Sequence, residues 1–565
     1  MHFRMSRKSL MVSIAVVALA GPRLAWASWT TDPVVVRSTT AQIPSIVSCS
    51  DGSGGCFVAW IETGVGLRAQ HVLASGDIDP AWPSTGAVIS SATSNLRVVA
   101  AVPDRDGGFY LLWSIGVSGH LSRIVGAGVS APDWPAGGVL LTHVSNEFSD
   151  IIEDGSHGCF VAPSDSVFHF GPDAHPAGGW PASGVPIPHD SCCYPYWPQL
   201  VLAPGGDVYV GWERMNFEAP GSWQVLRLTS GGLPAAGWPS GGVSRGQQNY
   251  AVDYFVNGWI YWEPPPLVDM SSDGRGGVFL AVANPQPSHP NDVPATLYRI
   301  NSTGGTPADW PPTGAAWNQY DGPFLGDQGS SAAYVRVCAD GADGALFGVA
   351  QSFVDVPNSM GFQRARSPGM FTLLSTCDGA LWPGVELVPS IAGDAFVSDI
   401  YPVAYTQGFT PSVAVGRLGH QWNWLEQCAK RYDPCFGDNS LSATPDGGAI
   451  LLWSEYHLRQ GLFAMRVTAT GTVTAVTAAA TERAAVRDVR FVRGQGVVAR
   501  VDLAGAPLAA LHLFDIAGRN RASATLRAGD NEATVGGTVG LPAGVYFLST
   551  DIASRRFVNK IVVLP

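Results

Sequence analysis

The sequence Asp51-Gly-Ser-Gly-Gly-Cys-Phe-Val-Ala-Trp60 decides the fold, because versions of it recur along most of the chain. Each copy begins with Asp-Gly or Gly-Gly, which reach positive φ at little cost and therefore favour a tight turn. A short apolar stretch follows, and its continuous apolar pattern indicates a strand buried on both faces. Seven copies begin at Asp51, Asp106, Asp154, Pro204, Asp273, Asp343 and Asp446.

A second element, Trp-Pro with a nearby glycine, alternates with the first. Proline lacks the N–H that a central strand needs and pushes the preceding residue towards extended geometry, so these pairs belong at a sheet edge or in a loop. Between the two elements there is often a strand in which apolar and polar residues tend to alternate, such as residues 67–73. The six Trp-Pro pairs begin at Trp82, Trp134, Trp180, Trp238, Trp310 and Trp382.

This ordered alternation predicts an all-β chain whose main domain, about residues 29–475, is a β-propeller of four-stranded blades. The stretch Trp29-Thr-Thr-Asp-Pro33-Val-Val-Val36 is similar to the end of a repeat unit, and a Trp-Pro pair is missing after Trp453. We therefore predict that the N-terminal strand completes the last sheet. Seven blades fit the motif count best, and six or eight stay open because the units near 330–390 and 390–440 are degenerate. A β-helix and a row of separate sandwiches are the alternative architectures.

Residues 1–27 have the pattern of a secretory signal peptide. Three basic residues precede an apolar core at 10–20, and Ala25-Trp-Ala27 forms a small-x-small cleavage site. The apolar core is too short to span a bilayer, and no later stretch approaches eighteen uninterrupted apolar residues. We therefore predict a secreted or outer-surface protein with no transmembrane helix in the mature chain.

The charge balance argues against nucleic acid as a partner. The chain has a formal net charge of −12, and Lys430 and Lys560 are the two lysines that remain after the signal peptide. Nucleic-acid binding needs clustered basic residues that displace counterions from phosphates. The acidic surface is instead typical of a soluble protein.

Nine cysteines lie in the mature part of the chain. Cys49 and Cys56 flank the first turn, and Cys428 and Cys435 flank another short loop. Because export permits disulfides, we predict that each pair is a candidate to bridge its hairpin. No set of cysteines and histidines follows zinc spacing.

The composition changes to small residues near 468–488, which predicts a linker at 476–486 between the propeller domain (28–475) and a separate unit at 487–565. Five or more short strands with closely spaced turns indicate that this last unit is a small immunoglobulin-like β-sandwich.

Three blocks of the last unit resemble a known class of domain. Leu513-Phe-Asp-Ile-Ala-Gly-Arg519, Leu541-Pro-Ala-Gly-Val-Tyr-Phe547 and Lys560-Ile-Val-Val-Leu564 are similar to the C-terminal sorting domain of type IX secretion cargo, and equally to the Ig-like domain of the flagellar hook-capping protein. The resemblance implies export and anchoring through a secretion machinery. The opening Asn-Pro strand usual in such domains is replaced by Arg487-Asp-Val-Arg-Phe-Val492. Both a sorting role and a purely structural cap therefore stay open. The propeller repeats are similar to those of large secreted bacterial proteins, which implies no particular chemistry.

The sequence contains no nucleophile elbow, no His-Glu-x-x-His and no phosphate-binding loop. A glycosidase needs two converging carboxylates, and the loop acids that offer them are Glu213, Asp253, Glu263, Asp321 and Glu455. We predict no cofactor. Calcium at the Asp-Gly turns is the alternative, although acids at alternate positions are approached at only two of them, near Asp104 and Asp340.

One segment departs from the repeat by its aromatic content. It lies within residues 245–266 and includes Tyr250, Tyr254, Trp259, Tyr261 and Trp262. Exposed rings there would form a platform for a sugar ring or a protein surface, and packing between blades is the alternative. We predict a non-enzymatic propeller that binds an extracellular ligand, glycan or protein, through loops on one face. A carbohydrate-active hydrolase or lyase and a structural surface module are the rival hypotheses.

Overall fold

The computed structural model describes an all-β protein whose described residues include no helix. The chain divides into two compact units, Met1–Thr474 and Ala475–Pro565. The described residues are 33–141, 149–189, 195–214, 221–248, 255–256, 259–260, 268–283, 295–316, 331–340, 344–352, 359–366, 370–378, 386–389, 395–400, 412–417, 423–427, 436–456, 460–468, 485–492, 496–502, 508–515, 519–527, 532–535, 541–542, 544–552 and 555–563.

The first unit begins with β1 (Val34–Ser38) and continues through antiparallel four-stranded sheets whose strands follow chain order. Sheets 1 to 4 are β2 (Ser45–Ser50), β3 (Cys56–Glu62), β4 (Gly66–Val72) and β5 (Ala87–Ser90); β6 (Leu96–Pro103), β7 (Phe109–Ile115), β8 (Ser118–Val125) and β10 (Val139–Leu141), with β9 (Val129–Ser130) beside β8; β11 (Asp150–Glu153), β12 (Cys159–Ala162), β13 (Ser166–Phe170) and β14 (Val185–Pro186); and β15 (Pro195–Leu202), β16 (Val208–Arg214), β17 (Gly221–Leu228) and β18 (Val243–Gln248).

A short hairpin of β19 (Phe255–Val256) and β20 (Trp259–Ile260) separates sheet 4 from sheet 5. Sheets 5 to 8 are β21 (Val268–Ser272), β22 (Val278–Ala283), β23 (Ala295–Ile300) and β24 (Ala315–Ala316); β25 (Ser331–Ala339), β26 (Ala345–Ser352), β27 (Ser359–Arg366) and β28 (Met370–Asp378); β29 (Glu386–Pro389), β30 (Ala395–Ile400), β31 (Ser412–Arg417) and β32 (Asn423–Gln427); and β33 (Phe436–Ala443), β34 (Ala449–Glu455) and β35 (Gly461–Val467), completed by β1.

The eight sheets form a closed ring, which makes the first unit a β-propeller. The first strand of every sheet contacts the first strand of the next, and β33 of sheet 8 contacts β2 of sheet 1. The predicted closure is confirmed, because β1 pairs antiparallel with β35. Seven blades, the count that the motifs favoured, is wrong by one. Sheet 7 carries neither the Asp-Gly turn nor a Trp-Pro pair between its last two strands, so counting motifs misses a sheet that backbone pairing forms.

In sheets 1 to 6 and 8, whose burial the structure describes, the second strand is buried on both faces, as the apolar runs predict. Every residue of β3 is buried. Its alternate side chains pack in opposite directions: Phe57 lies in a cluster with Phe109 of sheet 2, whereas Trp60 lies in a cluster with Ile450 of sheet 8. Burial between neighbouring sheets therefore explains why these strands do not alternate polar and apolar residues.

Five residues connect the first strand to the second in each of the eight sheets. In sheet 1, the Asp51 carboxylate accepts hydrogen bonds from the backbone N–H groups of Ser53 at 2.7 Å and Gly55 at 2.8 Å. Burial opposes ionisation of this carboxyl, but hydrogen bonds from His71, Ser53 and Gly55 prevail and lower its pKa to about 2. The same pair of turn contacts recurs at Asp104, Asp154 and Asp273. In sheet 6 the equivalent acid is Asp340, not Asp343, which lies outside the described residues.

We call a turn acid that accepts these backbone hydrogen bonds a clamp. The second carboxylate oxygen of each clamp binds a basic side chain on the third strand of the same sheet. His71 contacts Asp51 at 3.1 Å, Arg123 contacts Asp104 at 2.9 Å, and Arg299 contacts Asp273 at 3.0 Å. Further pairs of this kind are His169–Asp154, Arg227–Asp207, Arg366–Asp340 and Arg466–Asp446. Each pair joins the turn to the middle of its sheet, and this contact is long-range in sequence.

Tryptophan residues join neighbouring sheets. In sheets 1 to 5 the Trp-Pro pair lies in the connection between the third and fourth strands, where the tryptophan is buried. The indole N–H of Trp134 donates to the carbonyl of Pro172 at 2.8 Å, and that of Trp180 donates to the carbonyl of Ser230 at 2.7 Å. Trp238 reaches Ser302 in the same way at 2.9 Å. Each of these bonds crosses to the next sheet, so the loop position predicted from proline is confirmed for five pairs, while Trp382 lies outside the described residues.

The tryptophan contacts require a glycine in the receiving loop. Gly128 in sheet 2 has a φ of 80°, a conformation that side chains other than glycine rarely adopt. A Cβ at this position would lie 2.8 Å from the Trp82 ring of sheet 1. The glycine that follows the third strand is therefore part of the contact between sheets.

The predicted Cys49–Cys56 disulfide is wrong. In the β2–β3 hairpin, Cys49 stands opposite Phe57 and Cys56 stands opposite Ser50, so the two side chains point to opposite faces of the sheet. Both thiols are free and buried, Cys49 towards sheet 2 and Cys56 towards sheet 8. The predicted Cys428–Cys435 pair lies outside the described residues.

The second unit is a seven-stranded β-sandwich. One sheet has the order β36 (Ala485–Val492), β37 (Gly496–Asp502), β40 (Glu532–Val535), and the other β39 (Asn520–Arg527), β38 (Leu508–Asp515), β41 (Gly544–Ile552), β42 (Arg555–Val563). Val497, Ala533, Leu513 and Leu548 belong to one core that both sheets share. The predicted β-sandwich architecture is confirmed, while its immunoglobulin-like type and its membership of the sorting-domain class stay predictions.

Two of the sequence blocks in the second unit have structural roles. The Tyr546 hydroxyl donates to the carbonyl of Pro542 at 2.9 Å, as in the tyrosine corner of immunoglobulin-like sandwiches. The Asp515 carboxylate accepts from the backbone N–H of Arg519 at 3.0 Å and from the guanidinium of Arg521 at 2.8 Å. These motifs therefore stabilise turns of the sandwich, whether or not they also direct export.

Candidate functional site

The two ends of the propeller sheets differ in how their strands are connected. We call the end with the first-to-second and third-to-fourth connections the constant face. Its first-to-second connections all have five residues, and its third-to-fourth connections have thirteen or fourteen in sheets 1 to 5. We call the opposite end the variable face. Its connections begin and end where the second and third strands meet and where one sheet passes to the next.

Connection lengths on the variable face range from two residues between β7 and β8 to nineteen between β18 and β21. Three of the longest flank or lie within sheet 5, at residues 249–267, 284–294 and 317–330. These residues lie outside the described part of the chain, except for the backbone of β19 and β20. The strand ends that carry them are described, and they place the long connections on sheets 4, 5 and 6.

The same part of the ring has a polar row on its inner strands. Asp150, Gln199, Asp269 and Arg336 stand on the first strands of sheets 3, 4, 5 and 6, each four residues before the residue that opens the turn. At about 3.3 Å per residue, they share one level about 13 Å from the constant face. Sheets 1 and 2 have Val47 and Ala100 at this level, and sheet 8 has Ser440. Sheet 7 has Glu386 at this level, so the inner strands are polar or charged there from sheet 3 to sheet 8 and apolar in sheets 1 and 2.

The aspartates of this row tie adjacent inner strands together. Asp150 accepts a hydrogen bond from the backbone N–H of Leu200 in the next sheet at 2.7 Å, and Asp269 accepts from Val337 at the same distance. Each also accepts from the N–H of the residue that follows it. Asp438 of sheet 8 makes the equivalent bond to Ile46 at 2.7 Å, across the ring closure. An inner strand has an unpaired edge, and the carboxylates satisfy part of it.

Burial gives these carboxyls high proton affinity. It raises the pKa of Asp150 to about 7, with a smaller contribution from the negative charge of Asp269. Burial also raises the pKa of Asp269, against the effect of the Arg336 guanidinium, and raises the pKa of Asp438 to about 6. Carboxyls that titrate near neutrality are frequent at functional sites, but here their oxygens are already used by backbone N–H groups.

The structure describes two of the five predicted glycosidase acids and does not bring those two together. Glu213 and Glu455 are 0% and 2% exposed and stand near the ends of the second strands of sheets 4 and 8, on opposite sides of the ring. Glu62, which the sequence analysis did not single out, is equally buried at the end of β3, where it accepts from Arg37 at 2.9 Å and from Thr39 at 2.6 Å. Burial and its hydrogen bonds act in opposite directions, and the bonds prevail to lower its pKa. Glu62 thus binds the closing strand to sheet 1. Asp253, Glu263 and Asp321 lie outside the described residues.

The predicted aromatic platform falls almost entirely outside the described residues. Trp259 is paired with Val256 in the β19–β20 hairpin, and its backbone is what the structure describes. Tyr250, Tyr254, Tyr261 and Trp262 lie in the same nineteen-residue connection, so the platform stays a prediction. Within the described ranges, no group of three His, Cys, Asp or Glu residues is placed to hold a metal ion. In the same ranges, no helix is long and apolar enough to cross a membrane.

Comparisons with known proteins give no family. No family model and no curated protein matches the chain. Among solved structures, prolyl oligopeptidase B from Galerina marginata is similar with 12% identity and a TM-score of 0.39, covering 75% of this chain and 56% of the enzyme. A puromycin hydrolase has 13% identity and a TM-score of 0.38, covering 76% and 61%. A polysaccharide lyase, PL25 ulvan lyase, has 9% identity and a TM-score of 0.36, covering 78% and 96%. The chain thus spans little more than half of the oligopeptidase, and likenesses at this level support no statement about activity.

Proposed function

We propose that the chain is a secreted binding protein that takes its ligand at the variable face of the propeller. One observation carries the proposal: the first-to-second connection has five residues in all eight sheets, whereas the connections of the opposite face range from two to nineteen. The third-to-fourth connections of the constant face are also alike in sheets 1 to 5, and shorten to three and five residues in sheets 6 and 7. A scaffold places its specificity in the connections that vary most. Sheets 4 to 6, which carry three of the longest connections and most of the polar row, are the part of the ring where binding is expected.

The composition of the longest connection supports ligand stacking. Six aromatic residues lie between 250 and 262 within this one connection. Flat rings that project from a surface bind the apolar face of a sugar ring or an apolar patch of a protein. The ligand class is therefore a glycan or a protein surface outside the cell.

The test is a glycan array with the purified mature chain and a variant in which Tyr250, Trp259 and Trp262 are changed to alanine. Leu233→Ala is the matched control, because Leu233 is 69% exposed and lies in a third-to-fourth connection on the constant face. We expect wild type and the control to bind the same glycans and the triple variant to lose at least tenfold in affinity. Binding that survives in the triple variant, or is lost equally in the control, contradicts a variable-face site.

A carbohydrate-active enzyme is the second candidate, and the pair Asp150 and Asp269 favours it, because both have raised pKa values and their charges interact. Product analysis on the polysaccharides that bind separates the two functions. Chain shortening that Asp150→Asn abolishes would establish an enzyme and overturn the binding-only proposal. Binding without any new chain ends over a day of incubation supports it.

The second unit is proposed to direct export and surface attachment, on the strength of its resemblance to sorting domains. A reporter protein fused to residues 487–565 tests this in a bacterium that has type IX secretion. We expect the fusion at the cell surface or in the medium, and the reporter fused to residues 28–475 to stay inside the outer membrane. Equal export of both fusions would show that the second unit is a structural cap.

A further inference from the structure

A cavity of about 480 Å³ opens on the constant face, between the first-to-second turns of sheets 1 and 2. Ser50 and Ser53 line it from sheet 1, Pro103 and Arg105 from sheet 2, and Glu153 from the end of β11 in sheet 3. Its volume lies in the range of sites for small molecules. The cavity is separate from the polar row and lies at the opposite end of the sheets from the variable connections.

Arg105 occupies a turn position that sheets 1, 3 and 5 leave to glycine, while sheets 4 and 8 have Pro204 and Pro445 there. Its φ is 61°, and the equivalent turn residues are Gly52 at 74°, Gly155 at 79° and Gly274 at 69°. A side chain in the left-handed region costs free energy that glycine avoids. Backbone strain of this kind is concentrated at functional sites, which makes the Arg105 guanidinium a candidate binding group.

The contacts of Arg105 do not stabilise the fold enough to explain this backbone strain. Its Nε and one terminal nitrogen donate to the two carboxylate oxygens of Glu153. The side chains are 49% and 29% exposed, and an ion pair this accessible to water contributes little to stability. The pair instead holds a fork of donors beside two acceptor oxygens at the edge of the cavity.

The remaining lining groups also offer both donors and acceptors. The Ser53 hydroxyl donates to Asp51 at 2.7 Å and keeps acceptor capacity, while the Ser50 oxygen accepts from the N–H of Gly52 at 3.2 Å and keeps its O–H as a donor. No heavy atom lies within 4 Å of the position where a side chain of Gly52 or Gly107 would begin, so the turn backbone borders open space.

We propose that this cavity binds an uncharged, hydroxyl-rich ligand of one or two sugar rings. Vicinal hydroxyl groups take donors and acceptors together and bring no charge to neutralise, which matches the Arg105–Glu153 pair. The carboxylates of Glu153 and Asp51, both in the lining, oppose an anion. A cation would have to lie beside the Arg105 guanidinium. The site is distinct from the variable-face site and does not depend on it.

The experiment titrates the full mature chain with maltose, cellobiose, lactose and sucrose, with glucuronate and glucosamine as charged controls, and follows binding by saturation-transfer NMR. Arg105→Gly introduces the residue that the turns of sheets 1, 3 and 5 use, so folding is expected to be kept. Arg275→Ala removes an arginine from the corresponding turn of sheet 5 and is the matched control. We expect at least one neutral disaccharide to bind with a millimolar Kd, at least tenfold more weakly to Arg105→Gly and unchanged to Arg275→Ala and to the triple aromatic variant.

Several results would overturn the proposal. These are an unchanged affinity in Arg105→Gly, charged sugars that bind as tightly as neutral ones, and no binding by any of the four disaccharides. A thermal midpoint of Arg105→Gly several degrees below wild type would also overturn it, because the arginine would then be structural. Loss of binding in the triple aromatic variant alone would assign the ligand to the variable face.

Discussion

Replacing Asp273 with alanine tests whether the clamp at each turn stabilises the propeller from within. The side chains of Asp273 and Arg299 are 3% and 2% exposed, and Nε of Arg299 lies 3.0 Å from the Asp273 carboxylate. The guanidinium also lies over the Phe279 ring, 5.2 Å from its centre. The same carboxylate accepts from the N–H groups of Arg275 at 2.8 Å and Gly277 at 2.7 Å. Alanine removes all three of these acceptor contacts. It also leaves the buried Arg299 guanidinium without the negative charge of Asp273.

The expected loss follows from these contacts. Removing one partner of a buried ion pair costs about 3–5 kcal/mol, and the turn N–H groups, which hydrogen-bond to a charged group, bring the total towards the upper end. Asp273→Asn should cost less, because the amide oxygen still accepts from the turn. In sheet 8 Thr444 opens the turn, and the turn acid Asp446, two residues later, is 46% exposed beside Arg466, which is 8% exposed. Asp446→Ala should therefore cost less than Asp273→Ala, because water already screens the half-exposed Asp446 carboxylate.

The assay is urea unfolding of the three variants and wild type, followed by tryptophan fluorescence, with the change in free energy taken from the shift in midpoint and the slope. The order Asp273→Ala, Asp273→Asn, Asp446→Ala from most to least destabilised is the expected result. Equal losses for the two alanine variants, or a loss below about 1 kcal/mol for Asp273→Ala, would refute burial as the source of the stabilisation.

Three further predictions concern pH, the contacts between sheets and the cysteines. Burial raises the pKa of Asp150 to about 7, and carboxylate neighbours raise the pKa of His71 against the effect of burial, so both bind protons more tightly in the folded state. Their stabilisation is present below the unfolded pKa values and is lost as pH rises through the folded ones. The thermal midpoint of wild type should therefore fall from pH 5 to 8, and Asp150→Asn should make this fall less steep. A thermal midpoint that rises with pH would contradict the prediction. Trp180→Phe removes one hydrogen bond between sheets and should lower the free energy of unfolding by about 1 kcal/mol in the same urea assay. An unchanged free energy of unfolding would show that this hydrogen bond gives no net stabilisation over hydration of the indole N–H. Cys49 and Cys56 should both react with a thiol reagent after unfolding and neither before it, as counted by mass spectrometry; a mass two hydrogens lower without reductant would show a bridge.

The sequence was sufficient for features that depend on neighbours along the chain. The Asp-Gly turns, the apolar second strands and the completing N-terminal strand were all predicted, because each depends on local backbone geometry or on an apolar pattern within a few residues. The sandwich in the second unit was predicted for the same reason. Sheet 7 was missed, since strand pairing forms a sheet there without the turn sequence that marks the others.

The candidate sites depend on alignment between sheets rather than on motifs. Asp150, Gln199, Asp269 and Arg336 share no residue type, and counting back from the turn residue of each repeat is the signal that would have found them. The contact between Arg105 and Glu153 joins sheets 2 and 3 across 48 residues of chain. The number of turn motifs in the sequence set how many repeats could be recognised. The alternation of side chains along each strand could also be inferred from the sequence.

What the sequence by itself determined is the class of fold, the turn in each repeat and the closure of the ring, because turn chemistry and hydrophobic pattern are local properties. What the tertiary structure alone decided is the eighth sheet, the opposite faces of Cys49 and Cys56, and the ion pairs that join turns to strands. These depend on the register between strands and on which sheet becomes the neighbour. The register between strands is set by many weak long-range contacts together, so no short stretch of sequence specifies it.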